Sequence, residues 1–362
     1  NFSMKALSIS ACSRWVDLKR RGAKHHEQAD YESAVCDFTK LLQAFSFYSL
    51  RKQEDQLAYI DILRRRSQSL AARLNIAADD SPERQDLIDR ALADITFSIY
   101  LLETTPSLLK PVSSSSSSKS NSSKKSEPSF TQVLLSHHLV DRGFIYFDKQ
   151  DKYLFALNDY NKALSVNPTA DGFTQRAIVF EGMGYFSHAA ADLERAWAFR
   201  KHKQNKRMAS MWTDAALQGL RVAVGVKLSH MYLHTHNKLP DAAAVAEKLL
   251  KMRYKRSNKR GLLSGQAAAE VHCVRATALH HLKRYEEAIT EFSAALKKIH
   301  QENAGLYFCV LLDKAASRLA AGQFEQAALD VTAALEKIQS TTAEGTHNFA
   351  DSGSSSSSSS SS

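Results

Sequence analysis

Apolar positions along this chain recur at helical spacing, and the stripes they form come in pairs. From about Gln53 to Ile76, Leu57, Ile60, Leu63, Leu70 and Leu74 stand three, four and seven residues apart, which predicts one long helix. The cluster Asp79-Asp80-Ser81-Pro82 marks a turn, with Ser81 as N-cap and Pro82 in the first helical position. A partner stripe follows in Leu87, Ala91, Leu92, Ile95, Ile99 and Leu102, and it ends before Pro106. Further on, Met208 to Thr235 and Asp241 to Tyr254 make two more helical patterns, joined at Asn237-Lys238-Leu239-Pro240.

One pattern repeats with more detail. Between Asp141 and Trp197 it runs first as Arg142-Gly143, Tyr146, Tyr153, Ala156, Tyr160, Ala163-Leu164 and Pro168, then as Ala177, Phe180, Gly184, Phe186, Ala189, Leu193 and Ala196-Trp197. Ala156, Tyr160 and Ala163 thus stand 33 residues before Ala189, Leu193 and Ala196. The small residues at Gly143/Ala177 and Ala156/Ala189 predict two antiparallel helices in close approach, with aromatics filling the space between them and Pro168 stopping the second helix. Arg21-Gly22, Tyr31, Ala34, Phe38 and Leu41-Leu42 form an earlier copy. Two later copies run Ala276, Leu282, Tyr285, Ala288, Phe292, Ala295-Leu296 and Ala315, Gly322, Phe324, Ala327, Val331, Ala334-Leu335, their aromatics 39 residues apart.

These offsets resemble the tetratricopeptide repeat (TPR), a helix-turn-helix unit with a period of about 34 residues. The resemblance implies an all-α fold, a TPR-like α-solenoid in which helix-turn-helix repeats build a right-handed superhelix. About seven helical pairs are expected, five of them at TPR offsets. A pair cannot bury its apolar face alone, so neighbours stack and their curvature presents a groove.

Composition changes the picture in two places. Residues 111–129 turn abruptly to serine with Lys119, Lys124 and Lys125, too poor in apolar side chains to offset ordering entropy. Residues 341–362 end in a serine run. The expected organisation is therefore an N-terminal set of TPR-like repeats over 1–110, a disordered linker over 111–129, the main array over 130–340, and a disordered tail over 341–362. The linker is expected to interrupt one superhelix, because both flanks are repeat-like. No apolar run approaches the ~18–20 residues of a membrane span, and the short apolar patch Ala6 to Ile9 is no signal-peptide core. Cys12, Cys36, Cys273 and Cys309 form no CxxC pair and lie inside helical patterns, which suggests small core residues in a reducing compartment. The cytoplasm is the expected setting, with the nucleus as the alternative.

The net charge of +10 is unevenly spread. Residues 201–260 hold 14 Lys/Arg against three acids, and the remainder carries 34 against 35. The excess lies in Lys201, Lys203, Lys206 and Arg207 before one helical pair and in Lys251, Arg253, Lys255, Arg256, Lys259 and Arg260 after it. Such a field attracts nucleic acid or another polyanion, with salt-sensitive phosphate contacts and little sequence preference. Charge runs between helices are also ordinary solvated loops, and no RNA- or DNA-binding motif accompanies this one.

Ligands of the resembled family commonly lie in the concave groove formed by the first helix of each repeat. The corresponding offsets here are Lys19, Arg20, Ala23 and His26, then His137, Val140, Asp141 and Phe144, then Thr174, Gln175, Ile178 and Glu181, then Glu270, Cys273, Thr277 and His280. The carboxylate clamp of chaperone-binding members needs Lys, Asn, Asn, Lys and Arg at such offsets. Ala23 replaces the first Asn, and Asp171 and Gln175 stand where basic residues belong, so a chaperone C-terminal peptide is disfavoured. A protein partner, held as an extended or helical peptide in a mixed polar and apolar groove, is the expectation.

Catalytic and metal chemistry find little support. His230 and His234 share a helix face, with His236 nearby, and His25-His26, His137-His138 and His280-His281 add candidates, yet no HExxH glutamate or carboxylate ligand completes a zinc site. Gly182-Met183-Gly184 lacks the Lys-Ser/Thr of a phosphate loop, and no GxSxG, Cys/His pairing or paired catalytic carboxylates stand out. No catalytic residue, metal or cofactor is assigned, and a non-catalytic scaffold is expected.

Overall fold

The computed structural model describes residues 13–76, 82–109, 128–198, 214–252, 263, 265–299 and 303–336, and every regular element among them is helical. The chain divides into two units, Asn1–Gly184 and Tyr185–Ser362. The first contains α1 (Ser13–Glu27), α2 (Tyr31–Ala44), α3 (Gln53–Arg73), α4 (Pro82–Thr104), the single turn α5 (Pro106–Leu109), α6 (Phe130–Gln150), α7 (Tyr153–Val166) and α8 (Ala170–Gly182). The second contains α9 (Phe186–Ala198), α10 (Asp214–Leu233), α11 (Leu239–Leu250), α12 (Gly265–His281), α13 (Tyr285–Leu296), α14 (Ala304–Ala320) and α15 (324–336). Apart from α5, the described helices of the first unit alternate as first (A) and second (B) helices in α1/α2, α3/α4 and α6/α7, with α8 as a further A helix, and those of the second unit do so in α10/α11, α12/α13 and α14/α15, with α9 as a B helix. No helix there is long and apolar enough to cross a membrane.

Local signals set the boundaries. Ser129 and Gln132 form a reciprocal capping box at the start of α6, and the side chains of Asp30, Thr169 and Asn303 accept from backbone N–H groups at the starts of α2, α8 and α14. Pro82 opens α4, Pro168 follows the end of α7, and Pro240 lies in the first turn of α11. The turn from A to B is the same in several pairs. A left-handed residue two positions before the B-helix aromatic ends the A helix, at Ala29, Asp151, Lys283, Gly184 and Gly322. At Ala29, Lys283 and Gly322 the next residue's N–H bonds to the carbonyl five residues back (Asp30 to His25, Arg284 to Leu279, Gln323 to Arg318, each 2.9 Å), which is a Schellman motif.

Within a pair, two interlocking devices hold A against B. One is steric: a Cβ added at Gly22 would lie 2.8 Å from the Phe38 ring, and one at Gly143 would lie 2.9 Å from the Tyr160 ring. The other is ionic, and it uses the residue just before the small one. Arg21 bonds Asp37 (2.6 Å), Arg66 bonds Asp94 (2.6 Å), Arg142 bonds Asp159 through two contacts of 2.7 Å, Arg275 bonds Glu291 (2.5 Å), and Lys314 and Arg318 share Asp330 (3.1 and 2.7 Å). Each acid directly precedes a bulky B-helix residue, buried at Phe38, Ile95, Tyr160 and Phe292 and half-buried at Val331. A basic-small dipeptide on A facing an acid-bulky dipeptide on B is thus the repeated lock. Parallel N–H···O contacts give the Arg–carboxylate pairs orientation as well as energy.

Between pairs in the first unit, each B helix packs on the next A helix, and consecutive A helices approach one another more closely than consecutive B helices do. The stack therefore curves towards its A helices, and their outer surfaces form its inner face. Residues 110–127 lie outside the described set. On either side of them, α4 and α6 share one core through Leu87, Ile95 and Leu139, and Thr131 Oγ donates to the Leu108 carbonyl at 3.0 Å. The serine-rich tail likewise lies outside the described residues, as does Ser81.

The cysteines depart from expectation. Cys36 and Cys309 are exposed and Cys273 is half-buried, while Cys12 lies outside the described residues. In α2 the helical register gives the core to Ala34, Val35 and Phe38, so Cys36 faces solvent.

Candidate functional site

Four A helices contribute polar side chains to the inner face of the first unit, and ion pairs link α1 to α3 and α3 to α6. Lys19 of α1 pairs with Asp61 of α3 at 3.0 Å, and Asp61 also holds Arg65 of its own helix at 3.0 Å. Arg64 of α3 reaches Asp141 of α6 at 2.5 Å, and Gln68 adds a bond to the same carboxylate at 3.1 Å. Burial works to raise the Asp61 carboxyl, but Arg65 and Lys19 outweigh it and hold the group below its ordinary range. Beyond Asp141 come His137 and Phe144 on α6, then Asp171 and Gln175 on α8, whose side chains bond one another.

This end of the ladder is electrostatically unbalanced. Desolvation pushes the Asp171 carboxyl up, the bond from Gln175 opposes it, and Asp141 adds repulsion. His137 is pushed down by burial and then by Arg64, which favours the neutral imidazole. In the second unit, Thr277 and His280 lie on α12, with Asp313 and Ser317 facing His280 from α14. Burial pushes Asp313 up, and it pushes the Cys273 thiol up to about 12, with Asp313 and Glu270 adding to the effect. Such a thiol is no nucleophile near neutral pH.

The residues expected in a groove therefore fall in three places. His137, Asp141, Phe144 and Gln175 come together, with Phe144 40% exposed and Ile178 half-buried on α8. Lys19 belongs to the same face through Asp61, whereas Arg20 turns to Asp17 (2.7 Å) and lines a hollow between α1 and α2 with Trp15, Lys24 and Lys40. Thr277 and His280 belong to the second unit. Of the basic residues, Lys203, Lys206, Arg207, Arg253, Lys255, Arg256, Lys259 and Arg260 lie outside the described set, and Lys251 pairs with Glu247 one turn back.

Histidines do a different job from the one their spacing suggests. His26 Nδ1 meets Ser69 Oγ (2.9 Å), His138 Nδ1 meets Ser98 Oγ (2.7 Å), and His280 Nδ1 meets Ser317 Oγ (2.9 Å). Each of these hydroxyls already donates to a backbone carbonyl of its own helix, so it accepts from the imidazole and fixes the Nδ1–H tautomer. His26 and His280 occupy the same place in their repeats, each edge-on to the tyrosine five residues later, Tyr31 or Tyr285. All three are held neutral by burial, His138 most strongly, at about 3. His234 stacks on Phe186 with ring centroids 4.8 Å apart. Among the described residues no three metal-ligating side chains converge.

Sequence reasoning missed the α3 contribution of Asp61, Arg64, Arg65 and Gln68. A usable signal was present: Arg66-Ser67 and Asp94-Ile95 repeat the lock dipeptides, but 28 residues apart instead of the 16 between Arg21 and Asp37.

No family model and no curated protein matches the chain. Solved structures resemble it. The C-terminal part of a TPR repeat-containing protein from Cytophaga hutchinsonii superposes with a TM-score of 0.51 at 16% identity, over 89% of this chain and 94% of that one. The apo form of RapI superposes with a TM-score of 0.55 at 13% identity, over 90% of this chain and 76% of that one. The fold is thus a TPR-type α-solenoid.

Proposed function

We propose that this chain is a non-catalytic interaction scaffold that holds a protein partner, as an extended or helical segment, on the inner face of its first unit. The observation that carries the reading is the polar ladder from Lys19 through Arg64 and Asp141 to Gln175. It crosses four helices on a surface the core does not need, while the locks and the Ser–His contacts that hold the stack use other faces of the same helices. Extended or helical segments bind such surfaces through several spaced side chains, each contributing modestly. Phe144 offers exposed apolar surface and Gln175 a hydrogen-bonding amide.

The test is affinity capture with the wild-type chain and with a Phe144→Ala/Gln175→Ala double variant, each before and after nuclease treatment. A protein recovered by the wild type after nuclease and lost from the double variant supports the reading. Recovery that is indifferent to the double substitution, or that vanishes with nuclease, refutes it.

A further inference from the structure

We propose that the outer face of α15, the last described helix, is a docking site for an amphipathic helix of a protein partner that carries an arginine beside a small residue. The site belongs to the second unit and is separate from the inner face of the first.

Four junctions between pairs show what the outer face of a B helix meets. The ninth residue of the B helix receives the arginine that precedes the small residue of the next A helix. Thr39 Oγ accepts from Arg66 at 3.2 Å, Asn161 Oδ1 accepts from Arg176 at 2.6 Å, and Glu247 lies 3.5 Å from Arg275. In the longer α4 the matching residue, Thr96 after Ile95, accepts from Arg142 at 3.4 Å. On either side of this contact the A helix closes over the first and twelfth residues of the B helix. A Cβ added at Gly182 or Gly172 of α8 would lie 3.2 Å from Tyr153 or 3.0 Å from Leu164 of α7.

The same positions of α15 are bare. Thr332 is its ninth residue and is exposed. Its hydroxyl donates to the Ala328 carbonyl at 2.9 Å, as that of Thr39 donates to the Val35 carbonyl at 2.7 Å, so its oxygen is left to accept. Phe324 and Leu335, the first and twelfth residues, are 68% and 53% exposed, whereas Leu42 and Leu164 are buried and Tyr31, Tyr153 and Tyr285 are half-buried. Terminal repeats ordinarily turn a polar face outward. The first described helix does so: counted from Gly22 and Gly143, α1 carries exposed Asp17 and Lys24 where α6 buries His138 and Ile145. The last helix instead keeps the face of an interior one.

The arginine separates the candidate occupants. Residues 324–336 contain no Arg or Lys, so a second α15 laid antiparallel on the first supplies none and sets Glu325 against Glu336. Residues 337–362 contain no arginine either. A partner helix with an apolar stripe covers Phe324 and Leu335, and its arginine meets Thr332 beside the exposed carboxylates of Glu325 and Glu336.

Fluorescence anisotropy with the full chain tests this, using as probe a labelled peptide with the sequence of residues 52–74, the helix that covers α2. Saturable binding is expected, and an Arg66→Gln peptide should bind about tenfold more weakly, the scale of one hydrogen bond to a charged group. Thr332→Val in the chain should abolish that difference. Leu335→Asp should abolish binding of both peptides, while Leu154→Asp, equally solvent-facing on α7, should leave it. Absence of saturable binding, equal affinity of the two peptides, or a Leu335→Asp effect no larger than that of Leu154→Asp overturns the site. Two further results also overturn it: a free chain destabilised by Leu335→Asp, which would mean that residues 337–362 already cover the face, and a wild-type dimer that Leu335→Asp dissociates, which would make a second copy the occupant. Phe144→Ala/Gln175→Ala should leave peptide binding unchanged, so the inner-face reading and this one stand or fall separately.

Discussion

Replacing Gly143 with alanine adds one methyl group to α6, and two opposing effects of similar size decide the outcome. Alanine is favoured over glycine in a helix interior by about 1 kcal/mol. The new Cβ, however, would lie 2.9 Å from one edge carbon of Tyr160 and 3.0 Å from the ring carbon bearing its hydroxyl, closer than real Cβ contacts come. Tyr160 is fully buried between α6 and α7, and the Arg142–Asp159 pair beside it is anchored by two bonds of 2.7 Å, so the ring cannot yield cheaply. Overpacking of this kind costs about 1–3 kcal/mol. The net expectation is a loss of about 1 kcal/mol, read as a lower urea midpoint at unchanged slope. Gly219 of α10 supplies the matched control, since an added Cβ there meets nothing within 4 Å. Gly219→Ala should stabilise by about 0.8–1 kcal/mol. In a Tyr160→Leu background, which removes the ring the new methyl would meet, Gly143→Ala should change sign and stabilise as well. If Gly143→Ala raises the midpoint in the wild-type background as Gly219→Ala does, the close approach is not what selects glycine there.

Asp159→Ala strands Arg142, which is only 17% exposed, and should cost about 3 kcal/mol in chemical denaturation; Asp86→Ala, which breaks the exposed pair with Arg90, should cost less than about 0.5 kcal/mol. Lys283 is left-handed (φ 62°), so Lys283→Gly should raise the midpoint by about 0.5–1 kcal/mol, the relieved backbone strain exceeding the added unfolded-chain entropy. His138 is held at about 3 by burial, against an ordinary 6.5 in the unfolded chain. The unfolded state therefore binds the extra proton as pH falls, and the contribution of His138 is complete above pH 6.5 and shrinks below it. Between pH 7.5 and 5 the stability gap between wild type and His138→Leu should narrow by about 2 kcal/mol, and a constant gap would show that the imidazole is protonated in the fold.

The fold was legible where one residue type answers one steric demand. Gly22 and Gly143 can be read because Phe38 and Tyr160 leave no room for a side chain, and Pro82, Pro168 and Pro240 because each stands at a helix start or just past an end. The shared turn was less legible, because Ala29, Asp151 and Lys283 adopt a left-handed conformation without being glycine. The α3/α4 pair hid its register in the 28-residue separation of Arg66 and Asp94. The inner face was legible only as a set of offsets. Those offsets delivered His137, Asp141, Phe144 and Gln175, but not that Arg20 turns away to Asp17, nor that Arg64 and Gln68 of α3 hold Asp141. Pairings between repeats depend on stacking geometry, which no single helix encodes.

A single helix, α6, shows why the inner face can vary while the stack persists. Arg142 and Gly143 face α7 and form the lock, and His138 faces Ser98 of α4. His137, Asp141 and Phe144 remain for the inner face, where nothing in the core constrains them. Burial pushes the Asp171 carboxyl up against the opposing bond from Gln175, and Asp141 adds repulsion. Departures from local electrostatic balance in an otherwise consistent repeat are expected where function sits. Partner specificity in this chain is accordingly sought at His137, Asp141 and Phe144, and stability at Arg142, Gly143 and Asp159.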